Sequence, residues 1–156
     1  MGKALENPKI LIIDDEMEIQ KSVGRFLAFL PEFQDVEILF ASSFEEGLNV
    51  VEAKNPLIIL QDINLPDGNG LQFVRQVKKA HPVIQFIIIT GASNLDRVID
   101  AMSYGAVDYL KKPMDLEMLK VVIQESLNRC HRWGSLFAEE YRLEESGNTY
   151  LDVDRA

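Results

Sequence analysis

Four short stretches of this chain carry side chains whose types could combine in one polar site. They are the acidic pair Asp14-Asp15, the acid Asp62, the hydroxyl of Thr90 before Gly91, and Lys112 next to Lys111. Each stands where an apolar run ends. Carboxylates crowded together repel one another and push one pKa upward. A hard divalent cation relieves that repulsion, and an all-oxygen set suits Mg2+, with Mn2+ as a substitute. Lys112 would add a second positive charge and Thr90 a donor, while Gly91 leaves room for a substrate. A metal, a lysine and a hydroxyl around one carboxylate are what an aspartyl-phosphate needs. The cations neutralise charge on the phosphoryl oxygens and the carboxylate attacks in line. Taken alone, Asp62 would have a plainer role. It could simply open the turn cluster Pro66-Asp67-Gly68-Asn69-Gly70, as aspartates often do.

The chemistry therefore depends on elements that bring these residues together. Leu57–Leu60 and Lys9–Ile13 are unbroken apolar runs, the pattern of strands buried on both faces of a parallel sheet. Val36–Ala41, Phe86–Ile89 and Val107–Leu110 read as three more strands. Between them lie helical spacings. Ile19, Val23, Phe26, Leu27 and Leu30 form one stripe, stopped by Pro31. Ser43 and Glu46 make a capping box that opens a helix ended by Asn55-Pro56. Gly70–Ala80 and Asn94–Tyr104 are two further helices, and Asp115 caps a last one. Strand and helix alternate five times, which implies an α/β fold with helices on both faces. We expect a flavodoxin-like (βα)5 doubly wound sheet in the order 2-1-3-4-5. That order sets Asp14 and Asp15 beside Asp62, with Thr90 and Lys112 on the same carboxyl edge.

Composition narrows the partners. The chain has 156 residues, 47% of them apolar, and a net charge of −9, with a pI near 4.7. One main domain is expected, and the acidity argues against direct contact with nucleic acid or an anionic membrane. Cys130 is the one cysteine. It suits a reducing cytoplasm and reads as an inert thiol. No segment reaches the length of a membrane span, and the first residues lack the apolar core of a signal peptide.

The motifs ILIIDDE, DINLPDGNG, IIITG and DYLKKP, in that order and spacing, resemble the receiver domain of two-component response regulators. The resemblance covers Lys9 to about Leu127. It implies a phosphorylation-activated signalling switch rather than an enzyme with an outside substrate; such a domain catalyses only its own phosphorylation and dephosphorylation. On this resemblance Asp62 is the phospho-acceptor and Lys112 the lysine that precedes the proline. Asp15 holds Mg2+ directly, Asp14 largely through water, and Asn64 through its backbone carbonyl. Thr90 and Tyr109 are the switch pair. The implied partners are a sensor histidine kinase or phosphotransfer protein, and an output domain or partner protein at the face made by the fourth helix, fifth strand and fifth helix. Gln61 departs from the pattern, since many relatives carry an aliphatic or acidic residue there.

Three other readings compete. A flavin or nucleotide binder needs a Gly- or hydroxyl-rich loop after the first strand, where this chain has three acids. A haloacid-dehalogenase-like phosphatase would place an Asp-x-Asp nucleophile there, where this chain has adjacent aspartates. A pseudo-receiver that binds partners without phosphorylation would lack a matched residue, and none is missing. Other candidates read more simply. His81 sits in a helix-ending turn at the surface, Lys111 is a solvated charge, and His131 with Cys130 offers too few ligands for zinc.

The tail is a separate question. Residues 8–127 make the receiver-like unit, and 128–156 a helical extension or linker. Leu116, Leu119, Ile123, Leu127, Cys130, Trp133, Phe137 and Tyr141 share one helical face, longer than the sheet needs. Gly134 inside a helix costs about 1 kcal/mol relative to Ala. Even so, the run after it favours continuation to about Glu145, with a stop at Ser146-Gly147-Asn148 and a frayed end. Such a face is expected to meet a second copy, making a homodimer, or an output domain.

Overall fold

Every apolar run becomes a strand of one parallel sheet. The computed structural model describes residues 7–91 and 93–145, with side chains described as far as 136. The strands are β1 (Lys9–Ile13), β2 (Glu37–Ala41), β3 (Ile58–Gln61), β4 (Gln85–Thr90) and β5 (Ala106–Lys111). Their order is β2-β1-β3-β4-β5, all neighbours parallel. This is the flavodoxin-like 2-1-3-4-5 arrangement.

The runs are continuous because both faces are covered. Ile10, Ile12, Ile58, Leu60, Ile87 and Ile89 belong to one apolar cluster. Leu11, Ile13, Ile59, Phe86 and Ile88 belong to the other. Successive strand residues alternate between faces, so a strand packed on both sides must be apolar at every position. The helices are α1 (Met17–Phe29), α2 (Phe44–Lys54), α3 (Gly70–Ala80), α4 (Leu95–Ser103) and α5 (Leu116–Glu145). Val23 and Leu27 of α1 share the first cluster with Leu119, Val122, Ile123 and Leu127 of α5. Val51 of α2, Phe73 and Val74 of α3 and Ala101 of α4 fill the second.

Helix starts follow local polar chemistry. Ser43 Oγ accepts the Glu46 N–H at 3.1 Å, as a capping box requires. The reciprocal arm shifts by one residue: Glu46 accepts the N–H of Ser42, at 2.9 Å. Asn69, Asn94 and Asp115 accept backbone N–H groups in the first turns of α3, α4 and α5. Two details go beyond the pattern reading. Pro31–Phe33 forms a short 3-10 turn, and Asn64–Leu65 pairs antiparallel with Gly68–Asn69 inside the loop after β3.

Helix α5 continues through Gly134 to Glu145, thirty residues in all. Up to Cys130 its inner face is buried; Trp133 is 54% exposed. The expected stop at Ser146-Gly147-Asn148 lies outside the described residues, as do the side chains of Phe137 and Tyr141.

Candidate functional site

The carboxyl ends of β1, β3, β4 and β5 deliver the predicted polar residues to one edge. Asp14 follows β1, and its N–H donates to the Ala41 carbonyl at 3.1 Å. Asp62 follows β3, and its N–H donates to the Ile13 carbonyl at 2.9 Å. These two bonds extend the ladder one residue past the strands and fix the acids side by side. Lys112 follows β5, and its N–H donates to the Thr90 carbonyl at 3.0 Å. Thr90 itself ends β4 and is fully buried. Asn64 is exposed, two residues after Asp62.

The centre of the site is the Lys112 ammonium. Its Nζ lies 2.7 Å from Asp14 Oδ2, 3.1 Å from Asp62 Oδ2 and 3.2 Å from Glu16 Oε1. Asp14 and Asp62 are almost wholly buried. Burial would push the Lys112 pKa down, but the hydrogen bond and charge of Asp14 and the charge of Asp62 outweigh it, and the lysine is held firmly cationic. For Asp14 the balance goes the other way. Burial lifts its pKa, opposed by Lys112 and by the Glu16 N–H at 2.9 Å, and reinforced by the Asp62 charge. One lysine serves three carboxylates.

The oxygens of Asp14, Glu16 and Asp62 lie within 4.8 Å of one another. These are hard donors of the kind that suit a divalent cation. Asp15 is exposed and stands outside that trio. Glu16 was not foreseen as a member; its signal was its place as the third acid of the run. Gln20 was also not foreseen. Its buried amide donates to the Asp14 carbonyl at 2.6 Å, the Ala41 carbonyl at 3.2 Å and Ser42 Oγ at 3.0 Å. It thus ties α1 to the ends of β1 and β2 beneath the acids.

The remaining candidates separate. Tyr109 is half-buried against the second apolar cluster. Its hydroxyl is buried with no hydrogen-bond partner among the described residues. Lys111 is exposed. His81 lies 3.3 Å from the exposed Glu52 carboxylate, away from the site. Cys130 is buried, which raises its thiol pKa and fits an inert role.

The sequence pattern of the response regulator receiver domain matches residues 10–124. The chain belongs to the response regulator receiver family. This receiver is 33% identical over 122 residues to the DNA-binding transcriptional regulator NtrC of Escherichia coli K12, covering 76% of this chain and 24% of that protein. It is 32% identical over 116 residues to the transcriptional regulatory protein MalR of Bacillus subtilis, covering 74% of this chain and 48% of that protein. The chain thus spans about a quarter to a half of the length of these relatives. A CheY-like receiver domain from Methanospirillum hungatei superposes with a TM-score of 0.74 at 30% identity, covering 81% of this chain and 98% of that one. Receivers of this family are signalling modules of two-component response regulators. Among the described residues no helix is long and apolar enough to cross a membrane.

Proposed function

We propose that this receiver is a switch operated by phosphorylation of Asp62. The observation that supports it is the Lys112 ammonium within 3.1 Å of Asp62 Oδ2 and 2.7 Å of Asp14 Oδ2. The donor is a phosphohistidine on a sensor kinase or phosphotransfer protein. An Asp62 oxygen attacks phosphorus in line as the phosphorus–nitrogen bond breaks. The imidazole leaves with the electron pair and the phosphoryl group becomes an acyl phosphate. Lys112 already sits against Asp62, so its charge is in place when the phosphoryl oxygens arrive, with little reorganisation. The carboxylate trio fits a hard divalent cation, and Asp15, Asp14, Asp62 and the Asn64 carbonyl would hold Mg2+. When bound, Mg2+ supplies a further positive charge to the phosphoryl oxygens.

Thr90 then turns its hydroxyl toward the phosphoryl group and Tyr109 moves with it. A two-state domain needs only a differential preference for one conformation. The surface that responds is α4, β5 and α5. It carries the exposed apolar side chains Leu95, Ile99, Met102, Met118 and Val121. That face meets an output domain, a partner protein or a second copy. Any contact with DNA belongs to an attached output, since this segment has a net charge of −9.

Incubation with acetyl phosphate and Mg2+, followed by peptide mapping of the added mass, tests the acceptor. Label is expected on Asp62 and absent in Asp62→Asn; label that persists in the variant overturns the assignment. Beryllofluoride, standing in for the phosphoryl group, is expected to shift NMR signals across residues 94–123. Shifts confined to the loops around Asp62 count against propagation.

A further inference from the structure

At the opposite edge of the sheet from Asp62, an apolar groove of about 550 Å³ opens beneath the far part of α5. Its floor includes Leu57 before β3, Val83 in the turn before β4, and Val107 in β5. Its other wall comes from Arg129, Trp133 and Gly134. Those three lie beyond residue 124, where the family match ends. The groove is therefore built by the extension of this chain over its own sheet edge. Its volume falls within the roughly 300–1,000 Å³ of small-molecule sites.

The charge of the groove is opposite to that of the chain. The sequence holds 25 acids and 16 bases, yet the groove is lined by Lys78 and Arg129 with no acid. Both cations are fixed in place. Arg129 donates to Gln85 Oε1 at 2.8 Å, and Gln85 in turn donates to Cys130 Sγ at 3.2 Å. Lys78 Nζ donates to the carbonyls of Pro82 at 2.8 Å and Ile84 at 3.0 Å. An ammonium has three donors and a guanidinium five, so each keeps N–H groups for an incoming acceptor. Gly134, unfavourable in the middle of a long helix, lines the groove with no side chain of its own.

We propose that this groove binds an amphipathic anion, an apolar body bearing one carboxylate or similar head beside Arg129 and Lys78. The apolar body lies on Leu57, Val83 and Val107 against Trp133. The groove does not include Asp62, so the site stands independently of the phosphorylation reading.

Naphthoate and its neutral counterpart naphthalenemethanol, titrated into the full chain and followed by amide NMR, test this. Saturable shifts are expected at Val83, Val107 and Gly134, with the acid binding about tenfold more tightly, as loss of one charge-assisted hydrogen bond implies. Arg129→Gln should reduce that preference, with Lys78 keeping part of it, and leave binding of the alcohol unchanged. Gly134→Leu, which favours the helix, should weaken both ligands by blocking the groove. The same results are expected in Asp62→Asn, which separates this site from the acceptor. Equal binding of acid and alcohol, shifts elsewhere, or a dimer in sedimentation that Gly134→Leu dissociates would each overturn the proposal, the last because a second copy would fill the groove.

Discussion

The backbone carbonyl of Asp62 occupies the space where a β-carbon on Gly70 would stand. Such a carbon would overlap that oxygen and crowd Asp62 C and Ile63 Cα at 2.8 and 2.9 Å. The Gly70 N–H also donates to the Ile63 carbonyl at 2.6 Å. The first turn of α3 is thus pressed onto the backbone that carries the acceptor. Only a residue without a side chain allows this approach.

Gly70→Ala is expected to destabilise the fold by about 3 kcal/mol, the upper range for overpacking against atoms that cannot move aside. Urea unfolding with an unchanged m-value measures it. Stability within about 0.5 kcal/mol of wild type would mean that the loop yields freely.

Asp15 and Glu16 make opposite claims on the cation. Glu16 stands in the carboxylate trio and Asp15 outside it. The family resemblance assigns direct ligation to Asp15. We expect Asp15→Asn to weaken Mg2+ binding by about tenfold or more, and Glu16→Gln to leave it close to wild type. Titration calorimetry decides. The reverse ranking would mean that the cation enters the trio as the side chains now stand.

Tyr109 predicts a gain. A buried hydroxyl without a partner costs about 1–3 kcal/mol of desolvation. Tyr109→Phe removes the hydroxyl and keeps the ring against the second cluster. The unphosphorylated variant is expected to be as stable as wild type or up to about 1 kcal/mol more stable. Clear destabilisation in urea would show that the hydroxyl is satisfied.

Asp67 links the loop after β3 to the start of α2. Its carboxylate accepts the Glu45 N–H at 3.0 Å and the Phe44 N–H at 2.7 Å. Chiefly the Glu45 bond, with that of Phe44, holds its pKa below the ordinary 3.8. A depressed folded-state pKa means that the stabilisation is present above 3.8 and is lost as the pH falls through the lower folded value. Asp67→Asn should therefore lower Tm near neutral pH, and the gap to wild type should close in acid. A gap independent of pH would show that the charge plays no part.

Strand and helix positions were readable because their causes are local or periodic. Ile10–Ile13 and Ile58–Leu60 announce a two-sided sheet by being apolar at every position. Ser43, Asn69, Asn94 and Asp115 announce helix starts because a cap bonds within three residues of itself. Element ends moved by a residue. Gln85 joins β4 although it is polar, because its amide finds Cys130 and Arg129.

The residue types at the strand ends, and hence the gathering of Asp14, Asp62, Thr90 and Lys112 at one edge, followed from sequence alone, since parallel strands share their carboxyl ends. What only the tertiary structure decided is which side chains meet. Lys112 reaches Asp14, Asp62 and Glu16 while Asp15 faces solvent, a matter of angstroms and rotamers that no spacing encodes. The amide of Gln20 lies under the acids because α1 packs across two strands. Beyond Gly134, helix propensity alone left continuation and termination closely balanced. The structure carries α5 on through Gly134, and the far part of that helix sets Arg129 against Gln85, 44 residues away in sequence, and walls the groove. Contacts at such separation depend on the packed whole, because their geometry is set by every element between them.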